Sequence, residues 1–512
     1  MSTTQDRFGH PKGLYYLFFA ELWERFSFYG MKALLVLYMT KQLLFTDEMS
    51  FGVYAAYMSL VYVTPLIGGI VAEQMIGYRK AINLGGILMA FGHFFLTFEH
   101  PFFFYFSLGL IIVGNGFFKP NISSFVGALY PAGDKRRDSG FTIFYLGVNL
   151  GATIAPLLCA WVAELYGWHL GFILAGIGML LGLIVFQRGI NKNIFDDLGK
   201  IPNPEKYKIK RWGLGQQTQV IIGAIISIPI FALIVKFYQF EHYLLWIVSA
   251  FLVVYLGSIL YKVSTAEKKR LMVAVYFTLL ATLFMIIFEQ AGSSLTLFAD
   301  RNVNLIGINA AQTNSINAAF IVLLAVPFAL LWPFLTKRNS NPSSPLKMGA
   351  GLLLLGVGFI IFGMSSRSMD DGGNVPMYYL ILGTFIYTIG ELFLSPIGLS
   401  KMTELSPKKY VAFIMGVWFL SSFYGHYFAG KLAQLTSVSA GEDSVLSSGI
   451  FAKVSNLITG LDSVTALQMG DSFFQLHSYV SVYAIFGSIA IVLGVLAMLI
   501  SPFIKQMMGG IK

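Results

Sequence analysis

Long apolar runs, separated by short polar stretches, recur from one end of this chain to the other. They fall near 14–44, 52–76, 81–98, 102–129, 139–163, 168–187, 217–238, 243–262, 271–298, 311–335, 346–364, 376–400, 411–436 and 472–503. A helix needs about 20 mostly apolar residues to cross a hydrocarbon core, so these runs predict an all-α polytopic membrane protein with 14 transmembrane helices. Six spans end at Gln187 and six more begin at Leu271. Between them, the runs 217–238 and 243–262 meet at a tight turn around Glu241-His242 and carry no central ionisable group. They read as an inserted hairpin off the main pathway. The organisation expected is therefore a six-helix bundle over 1–187, a cytoplasmic linker over 188–216, a transmembrane hairpin over 217–270 and a second six-helix bundle over 271–512. The linker is basic and holds Pro202 and Pro204. Residues 437–470 read as a long outer loop, because Gly, Ser and Asp interrupt the apolar pattern.

Charge placement orients this plan. Only 12% of the residues are charged, against about 25% in an ordinary soluble domain. Of the 35 Lys and Arg residues, 26 fall on one side of the predicted spans, six on the other and three inside them. The richer side includes Arg7, Lys12, Arg79, Lys80, the Arg188 to Arg211 run and Lys505. Positive residues stay on the cytoplasmic face, so both termini are expected there. The same bias accounts for the net charge of +10 without a nucleic-acid partner. The stretch Met1 to Gly13 is polar and lacks the apolar core of a signal peptide, so the first span is expected to remain in the mature protein. The one cysteine, Cys159, excludes an internal disulfide.

Against this apolar background, seven ionisable side chains sit inside spans: Glu21, Glu24, Glu289, Glu391, Arg25, Lys32 and Lys119. Each costs about 2.5–3.5 kcal/mol at the centre of a spanning helix. Four acids against three bases leave a deficit of one positive charge, which one bound proton removes. That balance points to a proton-coupled carrier. In the first span, Glu21, Glu24 and Arg25 stand at i, i+3 and i+4 on one face, and Phe28 and Lys32 continue the stripe. Two close carboxylates resist double ionisation while the guanidinium opposes that resistance, a competition suited to a proton switch. Lys119 lies about 15 Å from the inner end of its span, too deep to reach headgroups, so a partner is expected, with Glu21 and Glu24 the nearest candidates. Glu391 stands at a similar depth in the tenth span, which is the equivalent of the fourth if the halves are repeats. A positive and a negative group so placed would complement the two ends of a zwitterion. Glu289, in the seventh span, could latch to Lys32. Asn149 and Asn317 are buried amides able either to bind a ligand backbone or to join helices. Tyr29 flanks the charged stripe and Tyr62 precedes Pro65.

Other chemistries lack their signatures. No His-Glu-x-x-His, Gly-x-Ser-x-Gly or paired catalytic Asp indicates a hydrolase, and no Gly-x-x-x-x-Gly-Lys-Ser/Thr loop indicates an ATP-driven pump. No cofactor or metal is expected. Charges confined to separate, equivalent helices suit alternating access better than a pore ring.

The motif Glu21-Leu-Trp-Glu24-Arg25-Phe-Ser-Phe28-Tyr29-Gly30 resembles the Glu-x-x-Glu-Arg-Phe-x-Tyr-Tyr-Gly signature of the proton-dependent oligopeptide transporter family. Phe144 to Gly151 and Phe413 to Leu420 resemble two further signatures of that family. The resemblance covers most of the chain, including the two extra helices typical of bacterial members. It implies the major facilitator fold and a symporter that imports di- and tripeptides with protons across the bacterial inner membrane. The alternative is a carrier of another anion or zwitterion, such as nitrate or a peptide-like drug. By resemblance, Glu21, Glu24, Arg25 and Lys119 couple protons, and Lys32, Lys119 and Asn149 hold the peptide carboxylate. Glu289 pairs with Lys32 as a gate, Asn317 contacts the peptide backbone, and Glu391 contacts its amino terminus. Tyr29, Tyr62 and Tyr145 line the pocket. The sequence departs from the pattern at Phe28, which lacks a hydroxyl, and at Lys32, which lacks the bidentate grip of Arg. Glu73 and His426 stand where Asp and Asn are common.

Overall fold

The computed structural model describes residues 6–7, 9–131, 134, 136–202, 214–437 and 449–510. The centre of the linker, 203–213, and the first part of the expected outer loop, 438–448, lie outside the described residues. The architecture is all-helical apart from two short two-stranded pairings. In chain order the helices are α1 (Lys12–Lys41), α2 (Asp47–Val71), α3 (Gly77–Phe95), α4 (Pro101–Ala128), α5 (Arg137–Tyr166) and α6 (Trp168–Asn191), followed by α7 (Gln216–Lys236) and α8 (Glu241–Lys262). Then come α9 (Thr265–Phe288), α10 (Ser294–Asn302), α11 (Ser315–Lys337), α12 (Ser344–Met364), α13 (Met377–Leu405) and α14 (Val411–Gln434). The last are α15 (Gly449–Thr459), α16 (Ser463–Met469), α17 (Asp471–Leu499) and α18 (Ser501–Met507). Among the described residues, 11 helical segments are long and apolar enough to cross a membrane, and one of them, Asp47–Phe95, contains both α2 and α3.

Local chemistry sets many of the boundaries. Proline at the first position of α4 follows His100, whose side chain accepts from the Phe102 amide. Ser264 and Glu267 form a reciprocal capping box at the start of α9. Gly167, with φ +97°, makes the sharp α5–α6 turn.

The structure refines three expectations. The seventh span, expected to be continuous over 271–298, breaks at a 3₁₀ turn, Glu289–Gly292, between α9 and α10. Gln290 holds that break by donating to the Ala429 carbonyl at 2.9 Å, while its side-chain oxygen accepts from Ser294. Glu241, expected in a turn, is the first residue of α8; it is buried and takes a hydrogen bond from the Ser59 hydroxyl. The expected outer loop contains two helices, α15 and α16, the second capped by Asp462.

The chain divides into two compact units: residues 1–44 with 60–238, and residues 45–59 with 239–512. The two arms of the predicted hairpin therefore fall in different units. In the first unit α7 packs on α4, where the Ile228 carbonyl approaches Gly109. In the second, α8 meets α14 through Ser249 and Tyr424, whose hydroxyls are 2.8 Å apart. Small residues bring backbones together within each unit, the usual means of helix association in lipid. A Cβ at Gly85 of α3 would stand 2.4 Å from the Gly114 carbonyl oxygen of α4.

Candidate functional site

In the first unit, the stripe read from α1 is a buried charge cluster. Glu21 and Glu24 are fully buried and Arg25 is 5% exposed. Arg25 grips Glu24 with two parallel hydrogen bonds, from Nε and Nη2 to the two carboxylate oxygens. Its Nε also lies 3.5 Å from Glu21 Oε1. Lys119 of α4 donates to that same Glu21 oxygen. Glu21 thus sits between two cations. Its other oxygen, Oε2, is buried with no hydrogen-bond partner among the described residues. A buried carboxylate oxygen without a donor is short of the solvation a charge requires.

Lys119 is the accessible member of the cluster, with its side chain 32% exposed. It precedes Pro120 within α4. One turn of that helix is tied down by Asn121, which donates to the Phe117 carbonyl at 2.7 Å and the Gly68 carbonyl at 3.3 Å. Phe28, the departure from the signature, places its ring 4.9 Å from the Arg25 guanidinium carbon, and Tyr29 is at 5.8 Å. An aromatic face there supports the buried cation without a hydroxyl.

The remaining first-unit candidates are less concentrated. Tyr29, Lys32 and Tyr62 are half-buried, and Tyr145 is 52% exposed. Asn149 is buried and one of its amide hydrogens returns to its own helix, at the Tyr145 carbonyl, 3.0 Å away.

In the second unit, Asn317 of α11 donates from Nδ2 to Glu391 Oε2 and to Thr388 Oγ1, both at 3.0 Å. Thr388 and Glu391 are three residues apart on α13, so one amide orients both. Glu289 is buried at the break after α9, with His426 Nδ1 3.5 Å from its Oε2. Both His426 and Thr388 went unassigned in the sequence. His426 left one trace, as a departure from a pattern; Thr388 left none, since a threonine in an apolar helix is common. Another grouping in this unit joins Arg301 to Asp47 by two bonds, at 2.5 and 2.8 Å, and to the Tyr479 hydroxyl at 3.2 Å. Among the described residues, no group of three or more His, Cys, Asp or Glu side chains could hold a metal ion.

The described residues therefore bring together a buried charge cluster and two half-buried, oppositely charged groups, Lys119 in one unit and Glu391 in the other. Comparison with known proteins gives this arrangement a lineage. The profile described as PTR2, the POT family, matches residues 79–455. The chain is 35% identical to the uncharacterized transporter YclF of Bacillus subtilis (strain 168), covering 98% of this chain and 96% of that protein. It is also 35% identical to the peptide transporter YePEPT of Yersinia enterocolitica, covering 83% of this chain and 88% of that one. A crystal structure of a mutant peptide transporter POT in complex with alafosfalin aligns with TM-score 0.81 and 32% identity, covering 99% of this chain and 98% of the other. The chain is a polytopic membrane transporter of the POT family.

Proposed function

We propose that the protein is a proton-coupled symporter importing di- and tripeptides by alternating access. YePEPT is a peptide transporter by name, and this chain shares 35% of its residues over the aligned region. The observation that carries the proton coupling is the state of Glu21. One of its oxygens is shared by Arg25 and Lys119, and the other is buried without a partner among the described residues. Glu24, by contrast, has both oxygens engaged by Arg25. Glu21 is therefore the carboxylate that accepts the transported proton.

The cycle follows from that charge exchange. A proton on Glu21 weakens its hold on Lys119, which turns to the peptide carboxylate. The amino terminus of the peptide goes to Glu391, held in place by Asn317, which Thr388 orients in turn. Asn149, Tyr29, Tyr62 and Tyr145 serve the same peptide, and a Lys32–Glu289 pair gates the pathway. Loss of the proton to the cytoplasm restores the Glu21–Lys119 pair and releases the peptide.

The membrane topology we propose has 14 spans. Beyond the 11 apolar segments it counts α2 and α3 separately and adds α1 and α14, α1 being less apolar because it carries the very charges the mechanism uses. Two six-helix bundles and an inserted pair make up the whole, in a bacterial inner membrane with both termini cytoplasmic. Dialanine added to proteoliposomes without an imposed gradient should draw protons inward with it. The pH signal should compete with trialanine and ignore nitrate. A dialanine flux with no accompanying proton, or a nitrate-sensitive signal, contradicts this reading.

A further inference from the structure

We infer that the second unit carries a phospholipid site, taking a zwitterionic phosphatidylethanolamine, in a slot bounded by α9, α14 and α17. A cavity of about 660 Å³ opens there, within the 300–1,000 Å³ range of small-molecule sites. Its main wall is one face of α14 with its C-cap: Phe428, Lys431, Leu432 and the cap residue Leu435 stand at i, i+3, i+4 and i+7. Ile286 of α9 and Phe486 of α17 also line it. The face runs about 10 Å along the helix, at 1.5 Å per residue, and sets Phe428, Leu432 and Leu435 around the single cation Lys431. Apolar lining around one cation suits an acyl chain joined to a charged headgroup.

The slot has a structural origin. Counting spans from the start of each half pairs α1 with α9, α5 with α14 and α6 with α17. In the first unit the three helices close on one another. A Cβ at Gly30 of α1 would stand 2.5 Å from Cys159 Sγ of α5, and one at Gly178 of α6 would stand 2.6 Å from the Phe26 ring of α1. In the second unit α9 and α14 close likewise, at Gly425 against Met285. But α17 spends its glycines elsewhere. A Cβ at Gly487 or Gly494 would each come 2.9 Å from a carbonyl oxygen of α12, those of Gly356 and Gly349. The seam that α6 fills in one unit is left open by α17 in the other.

The rim carries both charges of a zwitterion. Gln434 links them: its Nε2 donates to the Glu48 carbonyl at 3.0 Å and its Oε1 accepts from Lys431 Nζ at 3.3 Å. Both Lys431 and Glu48 are exposed, and neither has an ion-pair partner among the described residues. The other nearby carboxylate, Glu241, already takes the Ser59 hydroxyl. Lys431 buries its aliphatic stem along the slot and presents its ammonium to a phosphate, as long cationic side chains do at membrane interfaces. Glu48, in the first turn of α2, faces the ethanolamine ammonium.

The test is native mass spectrometry of the full chain, with palmitoyl-oleoyl phosphatidylethanolamine and the matching phosphatidylglycerol supplied in equal amounts. Fractions that elute as the wild type does are compared. One phosphatidylethanolamine should be retained preferentially. Lys431→Ala should weaken its retention roughly tenfold, as expected for loss of a hydrogen bond to a charged group. Leu435→Trp, which fills the slot, should do the same, and Lys453→Ala, at an exposed lysine outside the slot, should not. Glu48→Gln should abolish the preference for phosphatidylethanolamine. Equal retention by wild type, Lys431→Ala and Leu435→Trp overturns the site. A preference for phosphatidylglycerol, an unchanged preference in Glu48→Gln or a matching loss in Lys453→Ala overturns it too.

Discussion

At the scale of single residues, the difference between Glu21 and Glu24 carries most of the account. Both are fully buried, but only Glu21 keeps an oxygen without a partner among the described residues. Glu21→Gln should abolish accumulation of dialanine driven by a pH gradient. Glu24→Gln should instead leave Arg25 short of its bidentate partner, and destabilise the protein by about 3–5 kcal/mol, the cost of breaking a buried ion pair on one side. Thermal unfolding of the two purified variants separates these outcomes; equal stability losses would remove the distinction. Asn317→Ala should raise the KM for dialanine about tenfold, the scale of a hydrogen bond to a charged group, with Tm little changed. The stripe of α1 was readable in the sequence because i, i+3 and i+4 spacing fixes which side chains share a face. Lys119 was readable as needing a partner because its depth left it no route to water. Which oxygen each cation takes was not readable, since that depends on side-chain rotamers. Nor were Thr388 and His426, which reach their partners only through packing between helices.

At the scale of elements, hydropathy located nearly every long helix but not the interruption of the seventh. The residues at that break, Glu289-Gln290-Ala291-Gly292, carry little signal in an otherwise apolar run. The break is tied both across helices and locally: Gln290 donates to the Ala429 carbonyl of α14 and the Ile286 carbonyl of α9, and Thr296 donates to the Ala291 carbonyl that the broken helix leaves open. The α8 start carries a related ambiguity, since a glutamate beside a histidine suits a turn until a buried serine on α2 supplies a donor. Ser59→Ala should therefore lower stability by about 1–3 kcal/mol, by leaving a buried carboxylate oxygen without its donor. The approach of α3 to α4 should be less forgiving. Gly85→Leu places its side chain against the Gly114 carbonyl, where backbone cannot yield, and expression of a folded, monodisperse protein should be lost. Outside the spans, Arg136 holds the Asp134 carboxyl down at about 2. A carboxylate depressed in this way contributes stability above its ordinary value of 3.8, losing it only as pH falls toward 2. Arg136 also bonds the Gly9 carbonyl, at 3.1 Å, so this turn and the strap before α1 should keep their amide-exchange protection unchanged between pH 7 and pH 5.

At the scale of the whole molecule, the charge inventory and the membrane reading depend on each other. The same apolar background makes seven ionisable residues costly, and in the proposed cycle one proton offsets their excess negative charge. The lopsided distribution of Lys and Arg is the basis of the proposed orientation and needs no acidic partner. The division into two units was less legible. Sequence places the inserted pair as one element, whereas contacts assign α7 to one unit and α8 to the other, together with the first part of α2. Periodicity cannot report which neighbour a uniformly apolar helix selects. The most direct test of the central claim compares wild type with Glu21→Gln in proteoliposomes, in two assays on the same preparation. Exchange of labelled dialanine at equal peptide concentrations needs no net proton movement and should persist in the variant; uphill uptake driven by an inward proton gradient should vanish. Uphill uptake at the wild-type level in Glu21→Gln would contradict the assignment of the transported proton to that carboxylate.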